Sequence, residues 1–508
     1  MSVVVVPLVA ASLSFFSSGL CAGWAAQTLV NTHTRYWEWG VHAREVPWIP
    51  ATLELGALMA SVPVGYAIDK YGRKYVNLTV GFLYLLSWLI VLAADMHPEN
   101  LYSARVVAGL AMGATSIVVP VYVAEVAEAR VRGALLTASR CAGAAGLLAM
   151  HALAPRVGYR TLVALASLPP VLFLSTFSWS PESPYALAAK ERWNRATESL
   201  VSLRASAAAV KAELALLKED ERERPSWTQL HRRPGELTAL LVSVALGFLA
   251  ALAGQSAVVF YSALKLPESA DPTLPGPDTL CLCLAGASLA GGLCCATFVD
   301  LLGRRLVLAT SAAASTLSMA GLGYVFLSLA RCADQRDSCG LGWWFASALL
   351  VWSFSHGLGL ASLPGTLAAE LAPTNLRGIV ASAGAASAIV GAVLATVAFE
   401  MLPPHEACWV FASSSALCLV LAVAAVPETK GRPLAGLQRH RPGPGPGLGP
   451  GRLVPTVVIT APPRTRGDAP LVNGLAQLPP KVSGTAGTSG ASPSTSGTSA
   501  AGASSPLP

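Results

Sequence analysis

The chain has 508 residues, of which 53% are hydrophobic and only 12% charged, with a formal net charge of +7. Water-soluble domains carry about 25% charged residues, so one soluble core cannot hide this much apolar surface, and the composition describes an integral membrane protein. The basic excess suits loops facing anionic lipid, and no basic run is interleaved with aromatics, which excludes nucleic acid as a partner.

Apolar segments long enough to cross a bilayer, about 20 residues each, follow in order near 3–26, 48–68, 76–94, 101–124, 134–154 and 160–179, then near 237–261, 279–299, 306–329, 341–368, 379–401 and 407–426. No basic region precedes the first, so it reads as a spanning helix rather than a leader peptide. All twelve are expected to be helices, since lipid leaves no other way to satisfy an open backbone. The organisation predicted is a six-helix bundle over 1–184, a helical linker over 185–236, a second six-helix bundle over 237–431 and a disordered tail over 432–508, rich in Pro, Gly, Ser and Thr. Within the linker, Val210, Leu214 and Leu217 recur at helical spacing.

The apolar runs are punctuated by charge that repeats. Gly65, Asp69, Gly72, Arg73 and Lys74 separate the second and third segments, and Asp300, Gly303, Arg304 and Arg305 separate the eighth and ninth. Gly permits the bend, and Asp four residues before Arg can take the guanidinium in a charge-assisted bond. Lys70, Arg73, Lys74, Arg130, Arg132, Arg304, Arg305, Arg377, Lys430 and Arg432 fall on one side of the zigzag. That side is expected to be cytoplasmic, with both termini there and the plasma membrane as the expected location. Of the ten Cys, eight sit in apolar segments; Cys332 and Cys339 flank a polar loop on the other side, where a disulfide is open.

Further motifs follow the same order in each half: Arg105-Val-Val-Ala-Gly109, Pro120-Val-Tyr122-Val-Ala-Glu125, Arg132-Gly133 and Pro181-Glu-Ser-Pro184, then Glu370-Leu-Ala-Pro373, Arg377-Gly378 and Pro427-Glu-Thr-Lys-Gly431. With the repeated Asp-Gly-Arg loops, these resemble the sugar porter family of the major facilitator superfamily over about residues 10–431. The stretch Gly19–Trp24 and the Pro47-Trp48 entry look most like arthropod facilitated trehalose and glucose transporters. The resemblance implies an all-α membrane fold of two pseudo-symmetric six-helix bundles and transport by alternating access. It also implies a charge network that closes the cytoplasmic mouth, with Glu125, Glu182, Glu370 and Glu428 opposite Arg73, Arg132, Arg304 and Arg377, and Asp69 and Asp300 as partners in the loops.

The hexose-binding positions that the resemblance points to are not kept. Ala250 and Ala251 stand where the family's seventh helix carries amides, Ser256 where it carries Asn, and Ser288 at the eighth-helix Asn. Gly365 replaces the usual Trp, Gly357 the usual acidic residue, and Arg140 the fifth-helix Gln. The polar groups left for a substrate are Arg140, Gln255, Ser256, Ser288 and His356, with Ser353 and Ser355 nearby. Gln255 follows Ala251 by four residues and is expected on the same helical face. Arg140 lies about 10 Å in from the charged end at 1.5 Å per residue. It needs either an acidic partner, such as Glu125 or another mouth residue, or an anionic ligand. Glu54 and Arg105 lie at similar depth from the opposite end and are expected to form an ion pair; an unpaired Glu54 would instead be a proton carrier. Proton-driven relatives carry a carboxylate in the first helix, where this chain has Cys21, so downhill transport is expected. The reading is a carrier for a small-molecule solute, a sugar or polyol, seated in the lipid bilayer, with no cofactor and no metal. The alternatives are a non-transporting membrane sensor and an organic-anion carrier using Arg140. No phosphate-cradling Gly-rich motif and no paired-His metal helix points to an enzyme.

Overall fold

A computed structural model describes residues 2–35, 48–93, 98–204, 206–222, 234–261, 276–335, 341–372 and 376–430. Cys339 and the tail over 432–508 lie outside them, as does the side chain of Cys332. Among the described residues twelve helices are long and apolar enough to cross a membrane. The first six are α1 (Ser2–Arg35), α2 (Trp48–Tyr71), α3 (Arg73–Ala93), α4 (Pro98–Val126), α5 (Arg132–Leu153) and α6 (Tyr159–Phe177). Three shorter helices follow, α7 (Pro184–Ala189), α8 (Trp193–Leu203) and α9 (Ala207–Arg222). The second six spans are built from α10 (Pro234–Leu252) with α11 (Gln255–Tyr261), α12 (Pro277–Leu302), α13 (Arg304–Gln335), α14 (Gly342–Ser355) with α15 (Leu363–Leu371), α16 (Arg377–Met401) and α17 (Pro404–Ala424).

Two spans are broken. Gly254, at φ +101°, separates α10 from α11, and a π turn, His356–Leu360, joins α14 towards α15. Such turns recur at functional sites. The seventh-span break interrupts the i, i+4 relation assumed for Ala251 and Gln255, although both residues still line one cavity.

Helix association in lipid rests on close packing of small residues rather than on the hydrophobic effect. Accordingly, α2 packs on α4 and α1 on α5, while in the second half α10 packs on α16 and α13 on α17. Gly109 sits so close to α2 that a Cβ there would meet the Leu53 carbonyl oxygen at 2.1 Å. The halves meet where α5 packs on α12 and α2 on α16, so corresponding spans of the two halves face each other crosswise. Outward-facing apolar side chains such as Val62 and Leu317, 74% and 76% exposed, belong against hydrocarbon rather than water.

The short helices have a small core of their own made by Tyr185, Leu200, Val210 and Leu217. Ser183 caps α7 by accepting from the Tyr185 and Ala186 N–H groups. Arg204 ties this cluster down: it is held by Glu213 at 2.7 Å and donates to the Val126 carbonyl at the end of α4 at 2.8 Å.

Candidate functional site

Two sites are built at different depths: a charged end, where α2 meets α3 and α12 meets α13, and a central cavity between the halves.

At the charged end the two Asp-Gly-Arg loops have the same construction. Gly72 and Gly303 hold φ at +103° and +94°, a region open to Gly and strained for other residues. Each also lacks a Cβ for a second reason: at Gly72 it would lie 2.4 Å from a Glu182 carboxylate oxygen, and at Gly303 2.4 Å from one of Glu428. Those two carboxylates do not make the arginine ion pairs expected of them. Glu182 accepts from the backbone N–H groups of Arg73 at 3.0 Å, Lys74 at 3.2 Å and Ser183 at 2.9 Å. Glu428 accepts from those of Arg304 at 3.1 Å, Arg305 at 3.2 Å and Lys430 at 3.0 Å. They therefore cap the first turns of α3 and α13, where unsatisfied N–H groups and the helix dipole favour an anion. Burial pushes the Glu182 carboxyl above its ordinary value, with the backbone donors and Arg73 pulling the other way.

The arginine side chains turn inward instead. Arg73 meets Glu125 at 2.9 and 3.0 Å, and Glu125 also holds Arg377 of the second half at 2.8 Å and accepts from Ser183 at 2.5 Å. In the other half Arg304 pairs with Asp300 at 2.8 Å and Glu370 at 3.2 Å, while Thr429 donates to Glu370 at 2.6 Å. Arg132 stands beside Glu370, as Arg377 stands beside Glu125. Asp69 lies 3.6 Å from Arg73, and a Cβ on Gly378 would meet its carboxylate at 2.8 Å. Asp300 accepts from the Ala134 N–H across the interface at 2.8 Å. Each loop thus reaches the start of a helix in the opposite half, and these contacts tie the two halves together at that end.

The central cavity, about 280 Å³ in its larger part, is lined by Phe15, Glu54, Arg140, Gln255, Ser256 and Ser288 among others. A second part of about 200 Å³ shares Arg140, Gln255 and Ser256 and continues past Pro364 and Gly365. Both halves contribute, and Arg140 stands on the wall of both parts. Its guanidinium lies 5.2 Å from the Phe15 ring centroid, and a Cβ on Gly365 would meet Nη2 at 3.0 Å. Glu125, fully engaged with Arg73, Arg377 and Ser183, does not reach it. Among the described residues it has no acidic partner, and its Nε is buried without a hydrogen bond.

The expected Glu54–Arg105 ion pair does not form. Glu54 is buried on the cavity wall, with the hydroxyls of Ser256 and Thr396 turned towards it and Oε1 without a hydrogen-bond partner. Arg105 is fully buried elsewhere, 4.3 Å from the Trp24 ring centroid and 5.3 Å from that of Trp88, with Cys21 alongside. Aromatic faces attract a desolvated cation, so indole rings stand where a carboxylate was expected. Comparable depth placed the two charges at one level; it could not say which way each helix turned them.

The substituted hexose positions have steric reasons. A Cβ on Gly357 would lie 2.4 Å from the Ser288 carbonyl oxygen, so no acidic side chain fits there. Gly365 leaves the space that Arg140 occupies. His356 sits between the Ala250 carbonyl, 3.4 Å from Nε2, and the Trp352 ring, with centroids 5.2 Å apart. Ser353 and Ser355 donate to the carbonyls of Leu284 and Val351, leaving Gln255, Ser256 and Ser288 as neutral polar groups on the cavity wall. Sequence reasoning missed Phe15 and Thr396, whose residue types carry no signal until they are placed beside a charge. It also missed the buried Gln27–His151 contact of 2.8 Å between α1 and α5. Among the described residues no group of His, Cys, Asp and Glu is arranged to hold a metal ion.

Known proteins share this organisation. The family model described as "Sugar (and other) transporter" matches residues 3–440. A facilitated trehalose transporter of Drosophila mojavensis is 26% identical over 443 residues, covering 85% of this chain but 50% of the relative, so the chain spans about half the length of that protein. The mouse solute carrier family 2 facilitated glucose transporter member 8 is 27% identical over 421 residues, covering 77% of this chain and 84% of the relative. The solved structure of the proton:xylose symporter XylE bound to 6-bromo-6-deoxy-D-glucose superposes with a TM-score of 0.74 at 17% identity, covering 86% of this chain and 99% of that one. The twelve spans therefore form the major facilitator fold of two pseudo-symmetric six-helix bundles, and the chain belongs to the sugar (and other) transporter family.

Proposed function

We propose that this chain carries a sugar or polyol across a membrane by alternating access, moving it down its gradient. The observation that carries this reading is a cavity enclosed by both halves, with polar groups on a largely apolar wall, and closed at one end by an ion pair and a hydrogen bond that cross between them. Such pairs favour one of two states, and a ligand that binds the states unequally shifts the balance. Cys21 lies beside Arg105 in the first helix, where a thiol offers no carboxylate to carry a proton. The names of the relatives, a trehalose and a glucose transporter, support a sugar, and neither a non-transporting sensor nor a general organic-anion carrier is favoured. The bundles extend over 1–184 and 237–431 in this reading, with a linker between and the tail over 432–508 outside them. The basic end faces the cytoplasm, both termini lie on that side, and the membrane is the plasma membrane. Arg140, Gln255, Ser256 and Ser288 contact the substrate, with His356 behind them. The test is uptake by the full chain in proteoliposomes across a panel of neutral sugars, polyols and sugar acids: saturable uptake of at least one supports the reading, and uptake of none contradicts it.

A further inference from the structure

We infer that the ligand of the central cavity is an acidic monosaccharide, bound with its carboxylate on Arg140 and its hydroxyls towards Glu54; the inference rests on the sugar-transport reading and deepens it.

A guanidinium stays protonated in proteins, and a charge taken out of water without a partner is costly. Arg140 escapes neither condition through its own chain. Its contact is the face of Phe15, a weak substitute for an anion. The acids of the charged end are engaged there, and Glu54 forms no ion pair with it. The side chain, eight residues into α5, keeps its guanidinium on the cavity wall. It turns into the space beside Gly365, where the resemblance to hexose carriers implies Trp. Arg140 and Gly365 are therefore complementary: the missing side chain makes the room, and the cation fills its edge while staying on the cavity wall.

The planar fork of Arg matches a carboxylate with two parallel hydrogen bonds. Arg140 is the one cation among the described residues of the wall and can pair with one carboxylate, whereas a phosphate monoester would bring two negative charges into a cavity that already holds the Glu54 carboxyl. Glu54 sets the other end. Its Oε1 is buried without a donor, and a carboxylate that lacks a cation accepts readily from hydroxyls. Glu54 lies six residues from the start of α2 and Arg140 eight from the opposite end of α5. In a hydrocarbon layer of about 30 Å, at 1.5 Å of rise per residue, they are on the order of 10 Å apart in depth. Gln255, Ser256 and Ser288 line the same cavity, and an amide and two hydroxyls suit a ring carrying several hydroxyl groups. A ligand with a carboxylate at one end and hydroxyls at the other meets each of these groups with its complement, which a neutral hexose and a small carboxylate do not.

The experiment uses the full chain in proteoliposomes, with D-glucuronate, D-glucose and lactate as probes, and purified protein for ligand-induced thermal stabilisation. The expected result is glucuronate uptake at least tenfold above glucose and above lactate. Arg140→Gln should lower the ratio of glucuronate to glucose uptake at least tenfold and abolish stabilisation by glucuronate, and Arg140→Lys should restore part of the glucuronate signal. Wild-type uptake of glucose over glucuronate, with the same ratio in Arg140→Gln, would overturn the inference and leave sugar transport standing. Lactate carried as well as glucuronate would overturn the sugar half of it. Stabilisation by glucuronate alone, with no uptake of any sugar, would uphold the inference and sink transport. If Arg140→Gln does not fold, the wild-type preference and Arg140→Lys decide.

Discussion

The charged end and the central cavity treat charge in opposite ways. At the charged end each element occurs twice: Gly72 and Gly303 at positive φ, Glu182 and Glu428 on backbone N–H groups, and Arg73 and Arg304 on the buried acids Glu125 and Glu370. In the cavity the charges are unpaired and occur once. Eight residues after Arg132 comes Arg140, but eight after Arg377 comes Ala385; fifteen before Asp69 is Glu54, but fifteen before Asp300 is Ala285. In the proposed mechanism, opening and closing two similar halves keeps symmetry at the charged end, whereas a site for an asymmetric solute has no reason to keep it. Paired charges hold the protein's own parts together, and unpaired ones are left for something else.

The contrast breaks most readily at Glu125. Replacing it with Ala leaves Arg73 and Arg377 buried without their shared partner, and breaking a buried pair costs about 3–5 kcal/mol. Thermal unfolding of the purified variant should show a large loss, and an unchanged midpoint would mean that water already solvates those arginines. Next come the paired glycines. Gly72→Ala and Gly303→Ala each force a side chain into a strained φ and against a capping carboxylate, a loss of about 1–3 kcal/mol. The two losses should be similar; a large loss at one alone would show that the halves are not equivalent.

The twelve spans were readable from the sequence because long apolar runs have one solution in lipid, and the paired loops were readable because they repeat. The partners of the charges were not. Glu182 and Glu428 were expected to meet arginine side chains and instead meet the backbone, since sequence gives proximity along the chain but not the direction of a carboxylate. Glu54 and Arg105 share a depth but not a direction. Arg140 and Gly365 looked like separate losses of hexose ligands until the fold placed one in the space left by the other.

Smaller effects sharpen the contrast. Asp300 holds Arg304 at 2.8 Å and Asp69 holds Arg73 at 3.6 Å, so Asp300→Asn should loosen the closed end more than Asp69→Asn. The change is about 1 kcal/mol, read as faster labelling of a cysteine introduced at the charged end. Equal labelling in both variants and wild type would leave these carboxylates a role in topology alone. Gly365→Ala is expected to cost least, because the atom it meets is the far end of Arg140, which can shift. Its effect on sugar-acid uptake should vanish in an Arg140→Gln background, and simple additivity would separate the two residues.

The most direct test of the proposed downhill transport is whether the chain concentrates the solute it takes up. With no carboxylate in the first helix and Arg105 held by indole rings, uptake into proteoliposomes should stop at equal concentrations inside and out, with the membrane potential clamped at zero and the outside acidified or not. Accumulation above that level when the outside is acidified would contradict the account and make Glu54, the unpaired carboxylate of the cavity, the proton carrier.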